Sequence, residues 1–204
     1  MRIACLHTAE SNIAVFEAAR VEGQILVHTL RADLLSRVEA AGRLTDALRD
    51  EAAAVLGGLA TDVDAVLLTC STVGPAVAQV HAAVPVLRVD QALAKKAIAE
   101  AGARPLRVLY AVATTLAPTQ AIFAAEAKAE SQIDYQLVEG AWAKFRAGDV
   151  AGYHQAVADA ADAAYAEGVA VVALAQASMA EAAGRSRSGN PLTSPAAALS
   201  SFCS

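Results

Sequence analysis

Cys70 stands in the stretch Val66–Pro75, VLLTCSTVGP, where an apolar run gives way to hydroxyls, a glycine and a proline. A thiol at the N-terminal end of a helix feels the positive end of the helix dipole, which favours the thiolate. Such a thiolate can take a proton from a carbon next to a carbonyl, and the thiol can return it. A cysteine here can equally close a core strand, because free cysteines are among the most buried residue types. Cys5 lies within a predicted strand and Cys203 in the tail, and both read as structural. Other stretches with the same polar character are His7–Asn12 with Thr8 and Ser11, Ala113–Thr119 with Thr114, Thr115 and Thr119, Ala175–Met179 with Gln176 and Ser178, and Asn190–Pro195. These stretches and the Cys70-Ser71-Thr72 loop lack Lys and Arg. Hydroxyls with backbone N–H groups at helix starts can hold a small carboxylate. They can also simply cap the helices that follow.

The histidines supply no nucleophilic triad. His7 ends the first predicted strand, while His28, His81 and His154 fall on other elements. The chain has no Gly-x-Ser-x-Gly elbow, phosphate-binding glycine loop, dinucleotide fingerprint or His-Glu-x-x-His zinc motif. Asp159 and Asp162 sit at helical spacing in an alanine-rich window and read as a solvated face.

The elements that must position these loops alternate. Apolar runs at Arg2–His7, Gln24–Leu30, Val63–Thr69, Val84–Val89, Leu106–Val112, Ile133–Val138 and Val169–Leu174 predict strands covered on both faces. Helices are predicted at Thr45–Leu59, Gln91–Ala101, Pro118–Ala129 and Val150–Ala166, the last with Asp149 as N-cap and Gly168 as stop. Trp142, Phe145 and Tyr153 read as packing around a helix–helix turn at Arg146–Asp149. The alternation predicts an α/β fold with open parallel sheets, whose ligands bind at the carboxyl ends of the strands. A faint repeat relates Arg2–Phe16 to Arg107–Phe123, and Thr8 is as far from Cys70 as Thr114 is from Gln176. Two similar halves argue for two α/β lobes whose strand-end loops line a shared cleft.

Composition narrows the partners. The 204 residues are 56% hydrophobic but only 4% aromatic, which suits small-residue helices packed on sheets rather than a β-sandwich. A net charge of −5 with no basic stripe argues against nucleic acid. The uncharged span from Ala65 to Leu87 contains two prolines and a polar centre, so it reads as strand, turn, helix and strand rather than a membrane segment. Three dispersed cysteines without a CxxC pair, and a start too short in apolar residues for a signal peptide, predict a reduced cytoplasmic protein.

The loops VLLTCSTVGP, ATTLAPT (Ala113–Thr119), VALAQASMA (Val172–Ala180) and PLTSP (Pro191–Pro195) together resemble the aspartate/glutamate racemase superfamily. That superfamily includes hydantoin racemases, maleate isomerases and arylmalonate decarboxylases. The resemblance spans essentially the whole chain and implies two flavodoxin-like lobes related by pseudo-twofold symmetry, with the active site in the cleft between them. On it the first lobe is 1–94, joined by 190–204, and the second is 95–189. It also implies a small carboxylic or amino-acid-like substrate, no metal or other cofactor, and a possible homo-oligomer. Cys70 matches the first catalytic cysteine. Ser71 and Thr72 match the carboxylate-binding residues after it, Thr8 and Ser11 the first lobe's opening loop, and Thr114, Thr115 and Thr119 the second lobe's.

The chain departs from the family where a second cysteine is expected. Gln176 stands there, with Ser178 beside it, and an amide cannot serve as the second base of a two-thiol racemase. It can donate hydrogen bonds to an oxyanion or enediolate. A single thiol suffices for isomerisation through a thioether or for decarboxylation of a malonate-like acid, and racemisation would need another partner such as His7 or water. A small-carboxylate binder without catalysis is the alternative from a different class.

Overall fold

Continuous apolar runs become short parallel strands because each strand is covered on both faces. In the computed structural model, which describes residues 1–203, the chain divides into two units, Met1–Val89 with the segment from Ala198 onward, and Asp90–Ala197. The first unit runs β1 (Arg2–His7), α1 (Ser11–Ala18), β2 (Ile25–Leu30), α2 (Ala32–Ala41), α3 (Asp46–Gly58) and β3 (Ala65–Leu68). A 3₁₀ turn at Gly74–Gln79 and β4 (Val86–Arg88) complete it. Its strands are all parallel, in the order β2-β1-β3-β4.

The second unit begins with α4 (Val89–Ala101) and continues through β5 (Pro105–Tyr110), a 3₁₀ turn at Ala113–Thr115, α5 (Leu116–Glu126) and β6 (Gln132–Leu137). Then come α6 (Ala141–Arg146), α7 (Val150–Ala166), β7 (Val171–Leu174), a 3₁₀ segment at Ala177–Arg185 and β8 (Leu192–Thr193). The helix α8 (Ser194–Ser200) follows. The strand order β6-β5-β7-β8, again all parallel, repeats that of the first unit.

Alternation along the strands divides the cores. In the first unit Ala4, Leu6, Val66 and Leu68 pack against Leu34 and Val38 of α2 and Leu48, Ala52 and Leu56 of α3. In the second, Leu109, Val172 and Leu174 face Tyr153, Val157 and Ala161 of α7. On the opposite face of that sheet Leu106, Val108 and Ala173 meet Leu93, Ala97 and Ile98 of α4 with Phe123 of α5. Small alanines at these contacts let helix backbones approach the sheet closely.

The seven predicted strands and four predicted helices are present, with ends shifted by a few residues. Asp149 caps α7 by accepting from the Gly152 N–H at 2.9 Å. Gly168, at φ +89°, ends that helix in the left-handed region. Trp142 stacks on Phe145 at 5.0 Å, and Phe145 meets Tyr153 at 5.0 Å, closing the α6–α7 turn. Among the described residues no helix is long and apolar enough to cross a membrane.

Four features differ from the sequence expectation. The segment at 190–197 joins the second unit, because Leu192 and Thr193 pair with Ala173 and Leu174. The two-residue β8, bracketed by Pro191 and Ser194-Pro195, is too short to carry a strand pattern. The helix after Cys70 is a 3₁₀ turn beginning only at Gly74, so no α-helix dipole acts on the thiol. Asp162 is not a bare solvated face. It accepts from the Ser186 hydroxyl at 2.7 Å and from the Arg187 and Ser188 N–H groups at 2.9 Å each, anchoring the 185–189 loop.

The Ser186 hydroxyl, then the Ser188 N–H, holds the Asp162 carboxyl below the usual aspartate range. The anchor is therefore intact above the unfolded aspartate range and is lost as the pH falls through the lowered folded value. Asp162→Ala is expected to accelerate tryptic cleavage at Arg185 and Arg187 at neutral pH, with the rest of the chain cut at the parental rate. Unchanged cleavage would show that the loop is held by other contacts.

Candidate active site

Parallel pairing places the carboxyl ends of the inner strands level within each sheet. Leu6 pairs with Leu68 and Leu68 with Arg88, so the exits of β1, β3 and β4 lie side by side. Cys70 is two residues beyond Leu68. It is 9% exposed and packs with Leu6, Leu34, Leu68 and Val73. The next two residues, Ser71 and Thr72, are exposed. Thr8 is buried at the exit of β1, and Ser11 is exposed at the start of α1.

Capping accounts for one of the strand-end hydroxyls, Thr193, which accepts from the Ala196 N–H at 3.4 Å at the start of α8. No side chain caps α1, the 3₁₀ turn at Gly74, α5 or the 3₁₀ segment at Ala177. Side-chain caps are found also at α3, where Thr45 accepts from the Leu48 N–H at 3.3 Å, and at α7. Neither of those helices begins at the carboxyl end of a strand.

A cation also reaches the Cys70 loop. The guanidinium of Arg88, the last residue of β4, lies against Gly74, where a Cβ would collide with it. The loops themselves lack Lys and Arg, and this charge comes from the neighbouring strand. The glycine of CSTVGP was the signal, since a strand-end glycine often marks a close approach.

In the second unit Gln176 holds the place that Cys70 holds in the first, two residues beyond Leu174, the counterpart of Leu68. Its Oε1 accepts from the Ala111 N–H at 2.7 Å, tying the exit of β7 to that of β5 and leaving Nε2 as a donor. Ser178 is turned into the core, its Oγ 2.9 Å from the buried Tyr153 hydroxyl and its carbonyl accepting from His154 Nε2 at 3.0 Å. Thr115 donates to the Val112 carbonyl at 2.6 Å. Thr114 is exposed, and Thr119 lies half-buried in the first turn of α5.

His7 is not a partner for Cys70. Successive residues of a strand point to opposite faces, and His7 lies across from Thr69 on the face away from Cys70. The ring is fully buried, with Nδ1 3.0 Å from Thr69 Oγ1 and Nε2 2.8 Å from His28 Nδ1. Burial, then the neighbouring His28, pushes His7 down to about 4 and keeps it neutral. The Cys5 thiol beside it is pushed up to about 12 by burial and by Glu17. The sequence reading missed the contact between His7 and His28, which depends on the β1–β2 register.

Comparison of the whole chain with solved structures decides the fold. It matches Picrophilus torridus aspartate racemase with a TM-score of 0.71 at 13% identity, covering 98% of this chain and 92% of that one. The fold is that of the racemases. Allantoin racemase from Pseudomonas fluorescens gives 0.61 at 16% identity over 98% and 88% of the two chains. Glutamate racemase from Aquifex pyrophilus gives 0.57 at 15% identity over 100% and 83%. No family model and no curated protein matches the sequence.

The bond from Ala111 to Gln176 predicts an asymmetric pair of variants. Gln176→Ala leaves a backbone donor without its acceptor and is expected to lower stability by about 1 kcal/mol. Gln176→Glu keeps the acceptor and should retain most of it. Denaturant midpoints of the two variants measure the difference.

Proposed function

We propose that the chain is a cofactor-independent isomerase of the racemase type, acting on the carbon next to the carboxylate of a small acid or amino-acid-like compound. Cys70 is its single catalytic thiol. One observation carries this reading. Cys70 and Gln176 hold equivalent places at the carboxyl ends of two like sheets, where parallel folds bind ligands, and α1, the 3₁₀ turn at Gly74 and α5 begin there without a side-chain cap.

The roles follow from the chemistry of each group. Ser71 and Thr72, with the Arg88 guanidinium, offer donors and positive charge to a carboxylate, and charge-assisted bonds of this kind are the strong ones. Thr8, Ser11, Thr114 and Thr119 are further hydroxyl donors. The Cys70 thiolate takes the proton from the carbon next to the carboxylate, producing an enediolate, and the resulting thiol returns it. Donors aimed at the enediolate oxygens lower the barrier. The Gln176 Nε2 is a donor of that sort and holds no exchangeable acid or base function.

A single thiol serves one face of the carbon. Return of the proton by Cys70 gives exchange with retention, whereas inversion requires a proton from elsewhere. In heavy water, deuterium incorporation is therefore expected to outpace inversion for the same substrate, across a panel of amino acids and hydantoins. Decarboxylation of a malonate-like acid is the second reading. Gln176 favours it, because one proton delivered to one face completes that reaction, and carbon dioxide release from arylmalonates would identify it. Cys70→Ala should abolish either activity, and turnover that survives it sinks the assignment. Stabilisation of the protein by these acids without any reaction would favour a binding protein.

Gly74→Ala tests the role of Arg88. The new methyl would meet the Arg88 guanidinium, which must shift to make room for it. Displacing the guanidinium should raise KM at least tenfold. Parental KM in a variant whose Arg88 has moved would remove Arg88 from the site.

A further inference from the structure

We propose that Cys5, His7 and His28 form a binding site for a thiophilic closed-shell cation, Zn²⁺ or Cu⁺, separate from the reaction assigned to Cys70. The three residues lie on one face of the first sheet by construction. Cys5 and His7 are two apart on β1, and His28 on β2 is the direct register partner of Cys5. The Cys5 Sγ and one ring nitrogen of each histidine lie within 4.8 Å of one another. A thiol and two imidazoles suit zinc and copper, whereas calcium and magnesium prefer oxygen ligands.

The outer partners of both rings are already in place. His7 Nδ1 is 3.0 Å from Thr69 Oγ1, and His28 Nε2 is 2.9 Å from Glu17 Oε1. Metal-bound histidines usually donate their outer N–H to such an acceptor, which fixes the tautomer and the ring orientation. With both rings neutral and the Glu17 carboxylate accepting from His28 Nε2–H, His28 Nδ1 faces His7 Nε2 as a lone pair. Thr69 Oγ1 also lies 3.1 Å from the Leu6 carbonyl. The Thr69 hydroxyl donates to that carbonyl, so His7 can donate from Nδ1 to Thr69 Oγ1, and both inner nitrogens are then lone pairs. No outer bond is lost.

An ion entering this state displaces the Cys5 thiol proton. Zinc–nitrogen bonds of about 2.0–2.1 Å place two nitrogens about 3.3 Å apart. The inner nitrogens stand 2.8 Å apart, so the rings need to separate by only about half an ångström. Entry is from the sheet edge, because β2 is the outer strand and the His28 side chain is 17% exposed.

The test uses the full chain carrying Cys70→Ser and Cys203→Ser, which leaves Cys5 as its thiol. Cobalt(II) is the spectroscopic probe, and Zn²⁺ and Cu⁺ affinities are read in separate arms by competition with a chromophoric chelator. The expected result is one ion per chain and a near-ultraviolet thiolate-to-cobalt charge-transfer band, with no response to Mg²⁺. Cys5→Ala should abolish the band. His28→Gln, at the sheet edge and checked for native circular dichroism, should weaken Zn²⁺ or Cu⁺ binding at least a hundredfold, and Glu17→Gln by about tenfold to a hundredfold. Failure of both Zn²⁺ and Cu⁺ to bind would overturn the proposal. So would affinities that Cys5→Ala and His28→Gln leave unchanged.

Discussion

Parallel pairing of β1 with β3 fixes nearly everything of chemical interest in the first unit. Once Leu6 and Leu68 are partners, the residues after them are brought together whatever their separation in sequence. The Thr69 N–H then donates to the Leu6 carbonyl at 3.1 Å, and Thr69 Oγ1 meets His7. Cys70, the next residue, is sent to the opposite face. One step along the strand therefore separates a buried imidazole network from a thiol on the side of α2 and α3. A slip of a single residue would exchange the two faces and leave both arrangements without partners.

Continuous apolar runs gave most strands their signal in the sequence, and the N-cap at Asp149 and the stop at Gly168 were legible because their chemistry is local. What escaped detection depends on register or on length. The two residues of β8 carry no period, and pairing with β7 makes them a strand. The contact between His7 and His28 requires knowing that Cys5 lies opposite His28. Arg88 reaches Gly74 only because β4 lies beside β3. Asp162 looked like one more solvent-facing carboxylate until the chain returned, more than twenty residues later, to place Ser186 and two backbone donors on it.

Capping chemistry differs among the helix starts. Thr45 and Asp149 satisfy backbone donors at the starts of α3 and α7, as short polar side chains at helix starts commonly do. At the carboxyl ends Thr193 does the same for α8, whereas α1 and α5, which also begin there, have no side-chain cap. A helix start without a side-chain cap keeps exposed N–H groups for solvent or a ligand.

Within this common scaffold the two units differ in which groups can carry a proton. Register makes His7, Thr69, Cys70 and Arg88 the counterparts of Tyr110, Ala175, Gln176 and Thr193. At neutral pH the second set offers hydrogen bonds but neither a base nor a fixed charge. The first set offers a thiol, an imidazole and a guanidinium. Gln176 even spends its carbonyl on Ala111, so it braces the exit of β5 while its amide nitrogen remains a donor. Two sheets of the same topology thus carry chemically different side chains at four matched register positions.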